Sequence, residues 1–85
     1  MKEFTYTITD EQGIHARPAG LLVKEAAGFA SAITNEKDGK KVDAKRILGV
    51  MGLGAKKGAE ITLRAEGEDE DAAIEKLSAF LQENL

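Results

Sequence analysis

The apolar residues of this chain change period repeatedly, and that alternation constrains its fold more than any other feature. Phe4, Tyr6 and Ile8 alternate with Thr5 and Thr7, as a half-buried strand requires. Asp10 to Gly13 is turn chemistry. From Ala16 the period lengthens: Ala19, Leu22, Val23, Ala26 and Ala27 fall at helical spacing, and Gly28 supplies a stop. Ala32 to Glu36 and Lys40 to Asp43 flank Lys37-Asp38-Gly39, and Asp-Gly is a strong hairpin signal. Ile61, Leu63 and Ala65 alternate with Glu60, Thr62 and Arg64 to give a fourth strand, which Gly67 ends. Asp69, Glu70 and Asp71 suit a helix N-terminus, where carboxylates complement the unpaired N–H groups. Ile74, Leu77, Leu81 and Leu85 continue one apolar stripe, joined by Ala73 and Phe80. The short apolar stretch from Arg46 to Leu53, set among Gly49, Gly52 and Gly54, reads either as a short helix or as an irregular loop.

The expected order is β-α-β-β-α-β-α, an α+β open-faced sandwich. Four short strands with one apolar face each must cover that face, so all three helices are expected on one side of an antiparallel sheet. The other face is then polar and wet. At 85 residues one domain, 1–85, is expected, with little room for a deep pocket. A surface site fits such a chain better than an enclosed one.

Composition removes several classes of chemistry. There is no cysteine, which excludes disulfides, thiolate metal sites and cysteine nucleophiles. A single histidine makes a protein-only transition-metal site a poor reading, so no metal and no cofactor are expected. No apolar run approaches the roughly 20 residues of a membrane span, and the N-terminal residues alternate instead of forming a signal-peptide block. A cytoplasmic protein is the expectation. The net charge of −3 is unevenly spread: nine basic and four acidic residues lie from His15 to Lys57, against three and eleven elsewhere. The middle of the chain therefore suits an acidic partner or an anion. Nothing in the sequence points to nucleic acid. Gly52-Leu53-Gly54-Ala55-Lys56-Lys57-Gly58 lacks the ending of a phosphate-binding P-loop and reads as loop punctuation.

The stretch Gly13-Ile14-His15-Ala16-Arg17-Pro18-Ala19 lies where a loop turns into the first helix. Pro18 falls in the first turn, where a missing N–H costs nothing. The N–H groups of Ala16 and Arg17 then point out of the helix start, which attracts anions. Arg17 adds a positive fork suited to phosphate oxygens. His15 thus places a nucleophilic imidazole beside a phosphate cradle.

These residues resemble the active-site signature of HPr, the histidine-containing phosphocarrier family of the phosphoenolpyruvate-dependent sugar phosphotransferase system. A second block is similar too: Asp38-Gly39-Lys40-Lys41-Val42, Ile47 to Gly54, Lys57-Gly58-Ala59-Glu60-Ile61 and Ala65 to Glu70. The resemblance covers nearly the whole chain. It implies a carrier, not an enzyme, that takes one phosphoryl group from the phosphorylated general first enzyme. The carrier then passes that group to sugar-specific permease components during sugar uptake. It implies that His15 accepts the phosphoryl on Nδ1 and that Arg17 stabilises it. It also implies that Ile47, Leu48 and Met51 dock partners on a short second helix, with Lys24 and Lys45 and Arg46 as a basic rim. Many members of the family have a regulatory serine where this chain has Arg46, so that switch is expected to be absent. Contact with the membrane would come only through the permeases, and a monomer is expected. Three rival readings stand beside this one. They are a paralogue in a nitrogen-related or dedicated regulatory relay, a small acylphosphatase-like enzyme, and a binding module in which His15 merely caps a helix.

Overall fold

A computed structural model describes all residues, 1–85. Its elements are β1 (Lys2–Thr7), α1 (Ala16–Ala27), β2 (Ala32–Lys37), β3 (Lys40–Asp43), α2 (Ile47–Gly52), β4 (Glu60–Glu66) and α3 (Glu70–Asn84). The expected order holds, and the ambiguous stretch after Arg46 is a helix. The strands form one antiparallel sheet in the order β1-β4-β2-β3. No helix is long and apolar enough to cross a membrane.

Register explains the two faces of the sheet. Phe4 pairs with Leu63, Tyr6 with Ile61, and Ala65 with Ile33, which gathers the apolar side chains on the inner face. Ile33, Ile61, Leu63 and Ala65 are buried there with Leu22 and Ala26 of α1, Val50 of α2 and Leu77 and Leu81 of α3. Burying a side chain the size of Leu or Ile contributes about 2 kcal/mol, so this layer supplies the main driving force. The opposite face carries Glu3, Thr5, Glu36, Thr62 and Arg64. Arg64 bonds Glu36 and, at 2.8 Å, Glu3, tying three strands together. The Arg64 hydrogen bond holds the Glu36 carboxyl below its ordinary range.

The hairpin turn follows the sequence signal. Asp38 (φ 52°) and Gly39 (φ 82°) both take the left-handed conformation that a tight two-residue turn needs. Gly28 ends α1 as expected: its φ is −75°, and its N–H returns to the carbonyl of Glu25 in a tightened last turn.

Asp69 sits at the start of α3, as expected, but its side chain does not cap that helix. It reaches across to the loop after α1, where it accepts the Ser31 hydroxyl and the N–H groups of Ala30 (2.8 Å) and Ser31 (2.9 Å). The Ser31 hydroxyl and then the Ala30 N–H hold this carboxyl below its ordinary value of about 3.8. A depressed carboxylate stabilises the fold above its unfolded-state value, and that stabilisation is lost as pH falls through the lower folded value. Asp69→Asn is therefore expected to lower Tm at neutral pH, with the gap narrowing in acid below about pH 3.8. Thermal melts across pH check this; a gap that stays constant would contradict it.

Candidate functional site

The loop between β1 and α1 is pinned from two sides. At its start, the main-chain oxygen of Leu85 accepts the N–H groups of Thr9 (2.6 Å) and Asp10 (2.8 Å) and the Thr9 hydroxyl (2.8 Å). At its end, Ile14 N–H donates to Ala55 O at 2.9 Å, in the loop between α2 and β4. Gly13 makes that crossing possible. Its φ is +67°, and a Cβ there would lie 2.2 Å from Ala55 O and 2.5 Å from Lys56 Cα. Buried Ile14 then anchors the chain immediately before His15.

His15 is the N-cap residue of α1, with extended backbone (φ −103°, ψ −177°). Its carbonyl accepts the first helical bond, from Ala19 at 3.0 Å. Its side chain makes no capping hydrogen bond, so the imidazole is free for other chemistry. As the first two residues of the helix, Ala16 and Arg17 have no intrahelical acceptor, and no loop carbonyl takes either N–H. Pro18 has no N–H to satisfy and is buried. The first turn holds no carboxylate, so the positive end of α1 is left open to an anion.

His15, Arg17, Pro18, Asp10, Leu21 and Asn84 line one shallow surface depression. The sequence singled out His15 and Arg17, with Pro18 as part of the motif. It did not single out the other three. Asp10 read only as a turn residue. Leu21, 42% exposed, lies off the buried stripe of α1. Asn84 is brought here by the end of α3.

Ile47, Leu48 and Met51 lie on α2 and are 41%, 84% and 39% exposed, while Val50 between them is fully buried. The two short helices touch: the side chain of Ile47 packs over Gly20 of α1, with Cδ1 3.8 Å from where a Cβ would stand. The apolar residues of α2 thus sit beside the helix that begins at His15. Arg46 precedes α2, is exposed, and makes only a long contact with Asp43 at 3.9 Å. Lys24 is exposed in the last turn of α1 and does not line the depression. Lys45 differs from the expected rim cation, because its ammonium donates to Phe29 O at 2.7 Å and tethers the loop after α1.

Such a site can hold a dianion at a helix start, next to an unbonded imidazole, with open access from solvent. Comparison with known proteins gives it a setting. Residues 2–83 match the family model described as the PTS HPr component phosphorylation site. The phosphocarrier protein HPr of Lysinibacillus sphaericus is 52% identical, over 98% of this chain and 94% of that protein. The HPr-like protein Crh of Bacillus subtilis is 55% identical over 86% of each. Crh has been solved as a dimer with a swapped domain (TM-score 0.79, 50% identity, 94% of this chain and 92% of that one). HPr from Thermoanaerobacter tengcongensis superimposes with a TM-score of 0.92 at 49% identity, over 96% of this chain and 92% of that one. The class these matches define is a phosphocarrier, which carries a phosphoryl group and does not turn over a substrate. Within that class, the chain belongs to the HPr family of the phosphotransferase system.

Proposed function

We propose that His15 accepts a phosphoryl group from the phosphorylated general first enzyme of the phosphotransferase system and donates it to sugar-specific permease components. The observation that carries this reading is an N-cap histidine whose side chain is unbonded, beside Arg17 and two free N–H groups. In this reading the Nδ1 lone pair forms the new bond to phosphorus as the donor's bond breaks, while Nε2 keeps its proton. The Ala16 and Arg17 N–H groups and the Arg17 guanidinium then take up the phosphoryl oxygens. Transfer of this kind depends on positioning and charge stabilisation, and the partner completes both. A shallow site suits the role, since the group must be reached by a donor and then by an acceptor. The test is sequential: a labelled phosphoryl from phosphoenolpyruvate is expected to appear on this chain and then on a sugar-specific acceptor.

Docking in this reading uses Ile47, Leu48 and Met51, with Lys24 and Arg46 steering an acidic partner face. Met51→Glu places a carboxylate in that apolar patch. It is expected to slow transfer from the first enzyme about tenfold or more, since central apolar anchors dominate such interfaces. Stopped-flow or quench transfer rates read this directly. An unimpaired rate would remove α2 from the docking surface.

A second reading, a dedicated regulatory relay, is favoured by the 55% identity to Crh, whose solution structure is named catabolite repression HPr. Failure of every sugar-specific acceptor to take the phosphoryl would select it. In either case Arg46 offers no hydroxyl for the serine switch, and a cation there is mildly unfavourable at a helix start. Incubation with the serine kinase and ATP is expected to give no acid-stable label; robust labelling would contradict this.

A further inference from the structure

Asn35 is the polar residue that the fold leaves unanswered. It is fully buried on the inner face of β2, and neither atom of its amide finds a hydrogen-bond partner. Ser31, equally buried, is answered by Asp69. In register Asn35 stands between Val42 on β3 and Leu63 on β4.

Helix α2 lies over this place. A Cβ at Gly49 would come within 3.3 Å of Val42 Cβ. Lys37, two residues beyond Asn35 on the same face, reaches Leu53 O at 3.4 Å, just past the end of α2. Lys40 reaches Gly52 O at 3.3 Å. These ammonium contacts are long, and beyond them α2 is held by its buried Val50 and by Ile47 packed over Gly20. It spans six residues, begins at Arg46 with no side-chain cap, and contains Gly49 and Gly52. Each glycine weakens a helix about fivefold relative to alanine. A buried amide with no partner disfavours the arrangement that buries it by about five- to 150-fold.

We infer that α2 lifts from the sheet as a local unit while the rest of the fold stays intact, and that Asn35 sets this equilibrium. The amide is dry and unpaired when α2 is down, and solvated when α2 is up. Buried Val50, two ammonium groups and the close fit at Gly49 hold the helix down; Asn35 works against them. The consequence for docking rests on the proposed function: Ile47, Leu48 and Met51 would then sit on a platform that reshapes without unfolding the sheet. The lifting itself does not depend on that reading.

Native-state hydrogen exchange of the free protein tests it. The N–H groups of Val50, Leu53 and Gly54 bond within α2 and its exit, and report on the helix. They are expected to exchange at least about tenfold faster than β4 amides, and with little dependence on denaturant. Asn35→Leu is expected to slow them by about five- to 100-fold. Lys37→Met, which keeps the apolar stem, is expected to speed them by about two- to fivefold. The inference is overturned if the three amides exchange only with the whole sheet, or if Asn35→Leu leaves them unchanged or faster, as a water satisfying the amide would produce. Should Asn35→Leu fail to fold, Lys37→Met decides alone, and unchanged exchange there overturns the inference. No partner is present in this experiment, so its outcome is separate from that of Met51→Glu.

Discussion

His15→Ala is expected to lose all acid-labile phosphorylation and to keep its fold. Both halves follow from the same geometry. The imidazole makes no capping hydrogen bond, and the helix begins through the His15 carbonyl, which alanine also supplies. Stability is therefore expected to stay within about 0.5 kcal/mol of the parent protein. The anion cradle of Ala16, Arg17 and the helix dipole survives in the variant, yet nothing remains to form the bond to phosphorus. Intact mass after incubation with phosphoenolpyruvate and the first enzyme reads the first half, and a thermal melt reads the second. A folded variant that still gains an acid-labile phosphoryl would place the acceptor elsewhere.

Gly13→Ala is expected to have the second largest effect, through position alone. The new methyl would meet Ala55 O at 2.2 Å and Lys56 Cα at 2.5 Å, and both are backbone that a rotamer change cannot clear. The left-handed φ of +67° adds a cost of about 1 kcal/mol for any residue with a Cβ. Relief requires the two loops to part, which breaks the bond from Ile14 N–H to Ala55 O. The total loss is expected to be about 3 kcal/mol, a drop in Tm of about 10 °C or more for a domain of this size. His15 is the next residue but one. A displacement of about 1 Å at a reacting group costs on the order of a hundredfold in rate, and that is the loss expected in phosphoryl acceptance. Gly39→Ala is the control. Its φ is +82° and nothing lies within 4 Å, so it should show the conformational cost without the loss of transfer. Equal transfer rates for the two variants would show that the loop crossing does not position His15.

What the sequence disclosed follows from how far its physics reaches along the chain. Strands β1 and β4 and helices α1 and α3 were legible because each carries its own periodicity, and β2 and β3 because they flank the Asp38-Gly39 turn. The stretch that became α2 was ambiguous because six residues with two glycines give no period to count, and tertiary contacts with α1 and β3 decide its form. The placing of His15 and Arg17 together was legible for a similar reason: imidazole, cation and helix start are neighbours in sequence. Asp10 and Asn84 were not, since only the packing of α3 against the first loop brings them to the depression, whereas Leu21 stands one helical turn after Arg17 and Pro18, a spacing that could have found it. The Asp69 clamp on Ser31 joins residues 38 apart, and the acidic run predicted a helix start without disclosing where that carboxylate would turn. Lys45 read as a rim cation because charge alone says nothing of a carbonyl waiting at Phe29.

The most direct measurement is intact mass together with phosphorus NMR on the wild-type chain, after incubation with phosphoenolpyruvate and the general first enzyme. One phosphoryl group per chain is expected, labile in acid and stable in base, with the NMR signature of an Nδ1-linked phosphohistidine at His15. No phosphoryl group, more than one, or a single group on any residue other than His15 would contradict the carrier mechanism.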